Sequence, residues 1–221
     1  MKKLSIVIPA HNEEKTIGIT IRRCKACFSD MKPEIIVVND ASTDHTGRIA
    51  AKNGARVIKN KKNLGHGQSL IRGLRASTGK YVLYMDADDQ IDPDELMRNM
   101  FSHEIVSGYR VHRQDPFFRK VVSAILRGVL FIRYRLVIRD ANCPFKLIER
   151  SVLNILLEAL PPTCAFPTID MMVYAHIFGI PIEEIPVEHH PYIEKRKGFL
   201  QSWNQKSLAF FDAAFREVWN L

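Results

Sequence analysis

Through the first ninety residues, short apolar, β-branched runs alternate with longer segments whose apolar positions recur every three or four residues. The runs are Ile6-Val7-Ile8, Ile35-Ile36-Val37-Val38, Arg56-Val57-Ile58 and Tyr81-Val82-Leu83-Tyr84. Runs that are apolar throughout, rather than alternating, belong to strands buried on both faces. Between them the pattern predicts helices over 13–28, with Asn12 as N-cap, from Ser42 or Thr43 to about residue 54, and over 65–78, with Gly79 at C′. Strands alternating with helices of this length form βαβ units. The expected class is therefore α/β, a Rossmann-like, mostly parallel sheet with helices on both faces. Ligands of such sheets bind beyond the carboxyl ends of the strands.

The second half is less regular. Strands are expected over 104–109, 143–148 and 182–187, and helices over 92–101, 116–134, 151–160, 168–178 and 200–219. Pro161-Pro162 and the stretch 189–198 are the clearest loops, and no repeat or low-complexity linker divides the chain. One domain over 1–221 is the expectation.

Composition narrows the function. With 46% hydrophobic and 25% charged residues, the chain is neither disordered, collagenous nor a multi-spanning membrane protein. A net charge of +8 calls for a polyanionic partner: nucleic acid, anionic lipid or phosphorylated ligands. Met1-Lys2-Lys3-Leu4 leads straight into the first strand, which is not the pattern of a signal peptide, and the longest apolar stretch, 121–132, is broken by Arg127. A soluble or surface-lying protein is expected. Cys24 and Cys27 form a lone C-x-x-C without a second pair at zinc spacing, which reads as reduced helix cysteines of a cytosolic protein.

Candidate chemistry gathers at the predicted strand ends. Asp86-Ala87-Asp88-Asp89-Gln90 follows the fourth strand, and side chains two apart in extended backbone point the same way. Asp86 and Asp88 thus present two carboxylates together, with Gln90 as a third oxygen, a donor set suited to Mg²⁺ or Mn²⁺. Asp92-Pro93-Asp94-Glu95 next to it has the composition of a helix capping box, so capping competes as the explanation of this acidic run. Asn39-Asp40 ends the second strand, suited either to a nucleobase or ribose or to an Asx-turn. Pro9 to Glu14 ends the first. Gly65-His66-Gly67 is only a fragment of a dinucleotide fingerprint and follows the wrong strand.

These segments, in this order, resemble the family 2 glycosyltransferases, most closely the dolichyl-phosphate mannosyltransferase and polyprenyl-phosphate glycosyltransferase branch. The resemblance rests on Ile8-Pro9-Ala10-His11-Asn12-Glu13-Glu14, Val38-Asn39-Asp40-Ala41-Ser42-Thr43-Asp44, Asn63-Leu64-Gly65 with Gly73, and Asp86 to Gln90. Gly108-Tyr109-Arg110, Asp140 with Cys143-Pro144-Phe145-Lys146, and Ile185-Pro186-Val187 echo the branch downstream. Asn39 stands where Asp is usual, and Cys143-Pro144 where Ser-Gly is. The late Arg-x-x-Gly-x-Ser-Lys loop is matched loosely by Lys195-Arg196-Lys197-Gly198.

The resemblance implies a GT-A fold and a nucleotide-diphosphate sugar donor, GDP-mannose or a UDP-sugar. It assigns the nucleotide to Pro9, His11, Asn12, Glu13, Asn39, Asp40, Asp86, Ala87 and Asp88, and the metal to Asp86, Asp88 and Gln90. Residues 1–100 become the nucleotide-sugar half and 101–221 the acceptor half. Asp88, Asp140 and Arg110 are the candidates for the catalytic step, with Asp140 or Asp170 orienting or deprotonating the acceptor. A polyprenyl phosphate needs little proton abstraction, whereas a saccharide or protein hydroxyl, the alternative acceptor, needs a placed carboxylate. The segment 116–139 mixes Phe118, Val121, Val122, Ile125, Val129 and Ile132 at helical spacing with Arg119, Lys120, Arg127, Arg133, Arg135 and Arg139. It fits either an interfacial helix on an anionic membrane or a core helix with solvated arginines. Together these give a protein peripheral on the cytoplasmic face of a membrane, with room for a membrane-protein partner. No RNA-module signature accompanies the basic residues, so nucleic acid is not the expected partner. A nucleotidyltransferase is disfavoured by the glycine-free first loop, and a non-catalytic sugar-nucleotide-binding scaffold by the Asp86/Asp88 pair.

Overall fold

The computed structural model describes residues 4–96, 103–111 and 117–190. Seven strands form one sheet: β1 (Leu4–Ala10), β2 (Glu34–Asn39), β3 (Arg56–Lys59), β4 (Tyr81–Tyr84), β5 (Ile105–Val111), β6 (Lys146–Glu149) and β7 (Ile182–Glu188). Their spatial order is β3-β2-β1-β4-β6-β5-β7. All neighbours pair in parallel except β6, which runs antiparallel to both β4 and β5. The parallel sheet expected from the apolar runs is present, and the one reversed strand is an addition that periodicity did not signal.

Successive side chains of the central strands enter opposite cores. Leu4, Ile6 and Ile8 of β1 join one buried cluster and Val7 the other. β4 repeats this, with Leu83 in the first and Val82 and Tyr84 in the second. The first cluster is closed by α1 (Ile17–Cys27) and the second by α3 (His66–Ala76), α4 (Phe117–Tyr134), α5 (Arg150–Ala159) and α6 (Pro167–Ile177). A short α2 (Thr46–Lys52) joins β2 to β3. Helix α3 lies unusually close to the sheet at Gly73, where a Cβ would sit 2.4 Å from Val7 Cγ1 and 2.9 Å from Val38 Cγ2. Only glycine allows that approach.

Three helix starts differ from the periodic reading. Residues 13–16 form turns, so α1 begins at Ile17 and Asn12 is not its cap. Asn12 instead takes a left-handed conformation (φ 57°) and its side chain accepts from Thr43 N at 2.9 Å. Ser42 Oγ accepts from Asn12 N at 3.0 Å, so the segment expected to open α2 bridges two loops, and α2 starts at Thr46. Pro93–Leu96 is a single 3-10 turn. Asp92 Oδ1 accepts from Asp94 N, but Glu95 does not close a capping box; its carboxylate accepts from Glu188 N at 2.8 and 2.9 Å. The remainder of the expected helix 92–101, the loop 195–198 and the helix 200–219 lie outside the described residues.

Candidate active site

The ends of β1, β2, β3, β4, β5 and β7 meet at one edge of the sheet, and the reversal of β6 brings its starting residues to the same edge. A shallow cleft opens there, lined by Asp86, Asp88, Gln90, Arg110, Pro144 and His189. These residues come from β4, β5, β6 and β7, so the sequence-distant halves of the chain share one site.

Asp86 and Asp88 follow β4, as their spacing predicts, while Asp89 turns away in a left-handed conformation (φ 60°) and pairs with Arg23 of α1 at 3.2 Å. Burial pushes the Asp88 carboxyl well above the usual carboxylate range, and the nearby charges of Asp86 and Glu13 push it further. Three acids thus crowd one place, which costs free energy unless a cation joins them. Among the described residues no three His, Cys, Asp or Glu side chains close into an all-protein cage. Mg²⁺ and Mn²⁺ do not require one: such ions take one or two carboxylates and share substrate phosphates. The donor set fits a hard divalent ion on those terms. Gln90 Nε2 donates to His190 O at 3.0 Å, and the Gln90 backbone carbonyl accepts from His190 N at 2.8 Å. The loop after β4 is thereby stitched to the exit of β7. Ala87 faces inward, with its carbonyl receiving Thr20 Oγ1, and its part is packing.

At the β1 and β2 exits the expected nucleotide residues divide. His11 is exposed; its Nδ1 lies 2.7 Å from Asp40 O, and its ring stands beside Asn63. Glu13 is half-buried, with its backbone fixed by Thr46 Oγ1. Pro9 is buried within β1, on the side where the β4 ladder has ended, so its missing N–H breaks no sheet bond. Asn39 is buried in an Asx-turn, accepting from Ser42 N at 2.9 Å. Asp40 calls for a correction. It is 3% exposed, and its carboxylate accepts from Asn60 Nδ2 (2.7 Å), Leu64 N (2.8 Å) and Gly65 N (2.9 Å). The acid expected to meet a base holds the loop 60–65 instead.

In the second half of the chain Arg110 and Asp140 come together in a bidentate pair, Nε–Oδ2 2.8 Å and Nη2–Oδ1 3.1 Å, both largely buried. A carboxylate with both oxygens on a guanidinium is held ionised and is a poor base. Asp170 is fully buried in the first turn of α6 and accepts from Cys164 Sγ, so it does not reach an acceptor either. Lys146 closes the Cys143-Pro144-Phe145-Lys146 segment. Fully buried, it donates to Cys143 O at 2.5 Å, and burial lowers its amine to about 8. His66, too, carries more than its Gly-His-Gly context suggested. Its Nε2 lies 2.9 Å from Asp86 Oδ1. Desolvation in the cleft opposes a charged ring, but Asp86, with Asp88 and Asp40, outweighs it and raises the imidazole pKa. The available signal was a histidine opening a helix at the ligand edge of a parallel sheet.

A family model, Glycosyl transferase family 2, matches residues 5–155, a span that runs from β1 through β6 into α5 and includes Glu13, Asp86 and Asp88. The chain belongs to that family. It is 27% identical over 201 residues to an undecaprenyl-phosphate 4-deoxy-4-formamido-L-arabinose transferase from Klebsiella pneumoniae subsp. pneumoniae, a match covering 86% of this chain and 60% of that protein. This chain therefore spans only part of the relative's length. The fold is GT-A, like that of glucosyl-3-phosphoglycerate synthase from Mycobacterium tuberculosis. The structure of that enzyme with Mn²⁺, UDP and glucosyl-3-phosphoglycerate superposes with a TM-score of 0.71 at 22% identity, covering 96% of this chain and 80% of that one. Another, with Mg²⁺ and UDP, gives 0.68 at 22% identity, covering 96% and 79%.

Proposed function

We propose that this family 2 chain is a divalent-metal-dependent, inverting glycosyltransferase that moves a sugar from a nucleotide-diphosphate donor to a polyprenyl phosphate. The observation that carries the reading is the convergence of Asp86, Asp88 and Glu13 at the carboxyl edge of the sheet, with Asp88 held far above its ordinary pKa. Asp86 and Asp88, with the amide oxygen of Gln90, would hold Mg²⁺ or Mn²⁺, which when bound relieves charge on the departing nucleoside diphosphate. The exposed His11 and the neighbouring Asn12, Glu13 and Asn63 line the space left for the nucleotide. Crystallised neighbours of the same fold contain a divalent ion and UDP, which supports the donor class.

Two observations favour an already ionised acceptor over a hydroxyl. Both acids named as candidate bases are spent, Asp140 on Arg110 and Asp170 in the core. A lipid phosphate needs no base. The Klebsiella relative is named for undecaprenyl phosphate, in agreement. Helix α4 supplies a surface for such a lipid: Ile125 is 49% and Ile132 72% exposed, Val137 just beyond it 81%, with Arg127, Arg133 and Arg135 exposed among them. Among the described residues no helix is long and apolar enough to cross a membrane. The exposed apolar and basic residues of α4 support peripheral binding at an anionic face, the cytoplasmic one on the cysteine reading.

The test is a panel of GDP- and UDP-sugars against a short-chain prenyl phosphate, with and without chelator. Metal-dependent formation of an anomerically inverted glycolipid is expected, together with its loss in Asp88→Ala at unchanged circular dichroism. Full turnover by that variant in excess chelator, or transfer only to a saccharide hydroxyl, would overturn the proposal.

A further inference from the structure

Asp86 is held from outside the acidic cluster. His66 is the first residue of α3, and its Nε2 lies 2.9 Å from Asp86 Oδ1, within hydrogen-bond reach of that oxygen. The ring reaches that point because the preceding loop is fixed. Asn60 Nδ2 donates to Asp40 Oδ1 and, at 2.8 Å, to Ser69 Oγ on the first turn of α3. Leu64 N and Gly65 N complete the capture of the Asp40 carboxylate. Gly65, at φ 84° and ψ 162°, then turns the chain directly into the helix, a conformation that a Cβ would strain. A buried acid at the end of β2 thus sets the height of an imidazole that meets an acid at the end of β4.

We infer that His66 is a positioning residue for the divalent ion: it occupies one oxygen of Asp86 and turns the carboxylate so that the other faces the ion shared with Asp88. The inference rests on the metal reading above. Direct ligation by the imidazole is the poorer alternative, because Mg²⁺ and Mn²⁺ select oxygen donors. A purely structural ion pair is poorer still. The His66 side chain is 52% and that of Asp86 34% exposed, and pairs so open to water contribute little to fold stability. Hydrogen-bond partners of metal-binding carboxylates, by contrast, typically govern metal affinity by about 10–100-fold.

The experiment is Mn²⁺ titration of the full chain without donor, followed by electron paramagnetic resonance, alongside thermal unfolding of the metal-free protein. His66→Ala should weaken Mn²⁺ binding about ten-fold or more while leaving metal-free unfolding unchanged. His66→Gln, which keeps an N–H donor, should recover most of the affinity, and in an Asp86→Ala background His66→Ala should cost nothing further. Parental Mn²⁺ affinity in His66→Ala would overturn the inference, as would nitrogen hyperfine coupling showing His66 bound directly to the ion. If the parent binds no Mn²⁺, or Asp88→Ala binds it equally well, the metal reading itself falls and the inference with it. A parent that binds, an Asp88→Ala that does not and a His66→Ala that matches the parent remove the inference alone.

Discussion

Two residues fix the site by being buried rather than by touching a ligand. Asp40 gathers three donors of the loop 60–65. Asp40→Ala removes a charged acceptor from all three; Asn60 Nδ2 keeps Ser69 Oγ and Gly65 N keeps Asn63 Oδ1, but Leu64 N loses its partner, at a total cost of about 1–3 kcal/mol. Chemical denaturation should show that loss, and donor and Mn²⁺ binding should weaken with it as the loop shifts; unchanged unfolding would mean that the loop is held elsewhere. Lys146 makes a pH-dependent claim. Burial lowers its pKa from 10.5 to about 8, and Arg110 adds to this; Cys143, Asp140 and Glu184 oppose it without cancelling it. Below pH 8 the amine is charged in both folded and unfolded chains, and the penalty for burying that charge is fully present. Between about 8 and 10.5 only the unfolded chain keeps the proton, so the folded state gains as pH rises, by at most about 1.4 kcal/mol per pH unit from this group. Lys146→Met lacks that gain. Its stability relative to the parent should therefore fall steadily across pH 8, 9 and 10; a constant difference would show that the amine titrates normally.

At the level of elements, α4 turns two faces outward and inward. Leu130 is fully buried and Leu126, Val129 and Tyr134 pack on the core, while Ile125, Phe131 and Ile132 face water. Arg135 lies over the Phe131 ring at 5.5 Å and Arg133 over Tyr134 at 5.1 Å, so cations and apolar surface are interleaved. Cations near an anionic bilayer contribute about 1 kcal/mol each. Replacing Arg119, Lys120 and Arg127 by Gln should lower co-sedimentation with anionic vesicles and flatten its salt dependence, while donor binding at the strand ends persists. Vesicle binding equal to the parent's would assign the helix to the core alone. The sequence pattern carried both readings because a helix packed on one side and wetted on the other shows more apolar positions than either face needs.

Across the whole molecule, the sheet was legible because β1, β2 and β4 carry the unbroken apolar runs Ile6-Val7-Ile8, Ile35-Ile36-Val37-Val38 and Tyr81-Val82-Leu83-Tyr84, which double-sided burial explains. The places of Asp86 and Asp88 were legible because they follow such a strand at a spacing of two. What stayed hidden depends on contacts between distant segments. The reversed β6 is too short to declare its direction, and Arg110 and Asp140 are thirty residues apart until β5 and the loop before β6 fold together. His66 and Asp86 meet only through a loop whose anchor, Asp40, had a plausible ligand role of its own. Asn12 and Ser42 had local capping explanations that a bond between two loops displaced.

The reversal of β6 also bears on how the chain is made. The pairings among β1, β2, β3 and β4 are complete once residue 84 is available. The far side of β4, however, waits for Lys146–Glu149. During synthesis Tyr81-Val82-Leu83-Tyr84 therefore presents an open, apolar strand edge for some sixty residues, at about 5–20 residues per second. That interval of a few seconds is when an emerging chain is most able to pair with a neighbour on the same messenger, a hazard inherent to unpaired edges. The strand that leads into Asp86 and Asp88 is thus also the one most in need of a chaperone before its partner arrives.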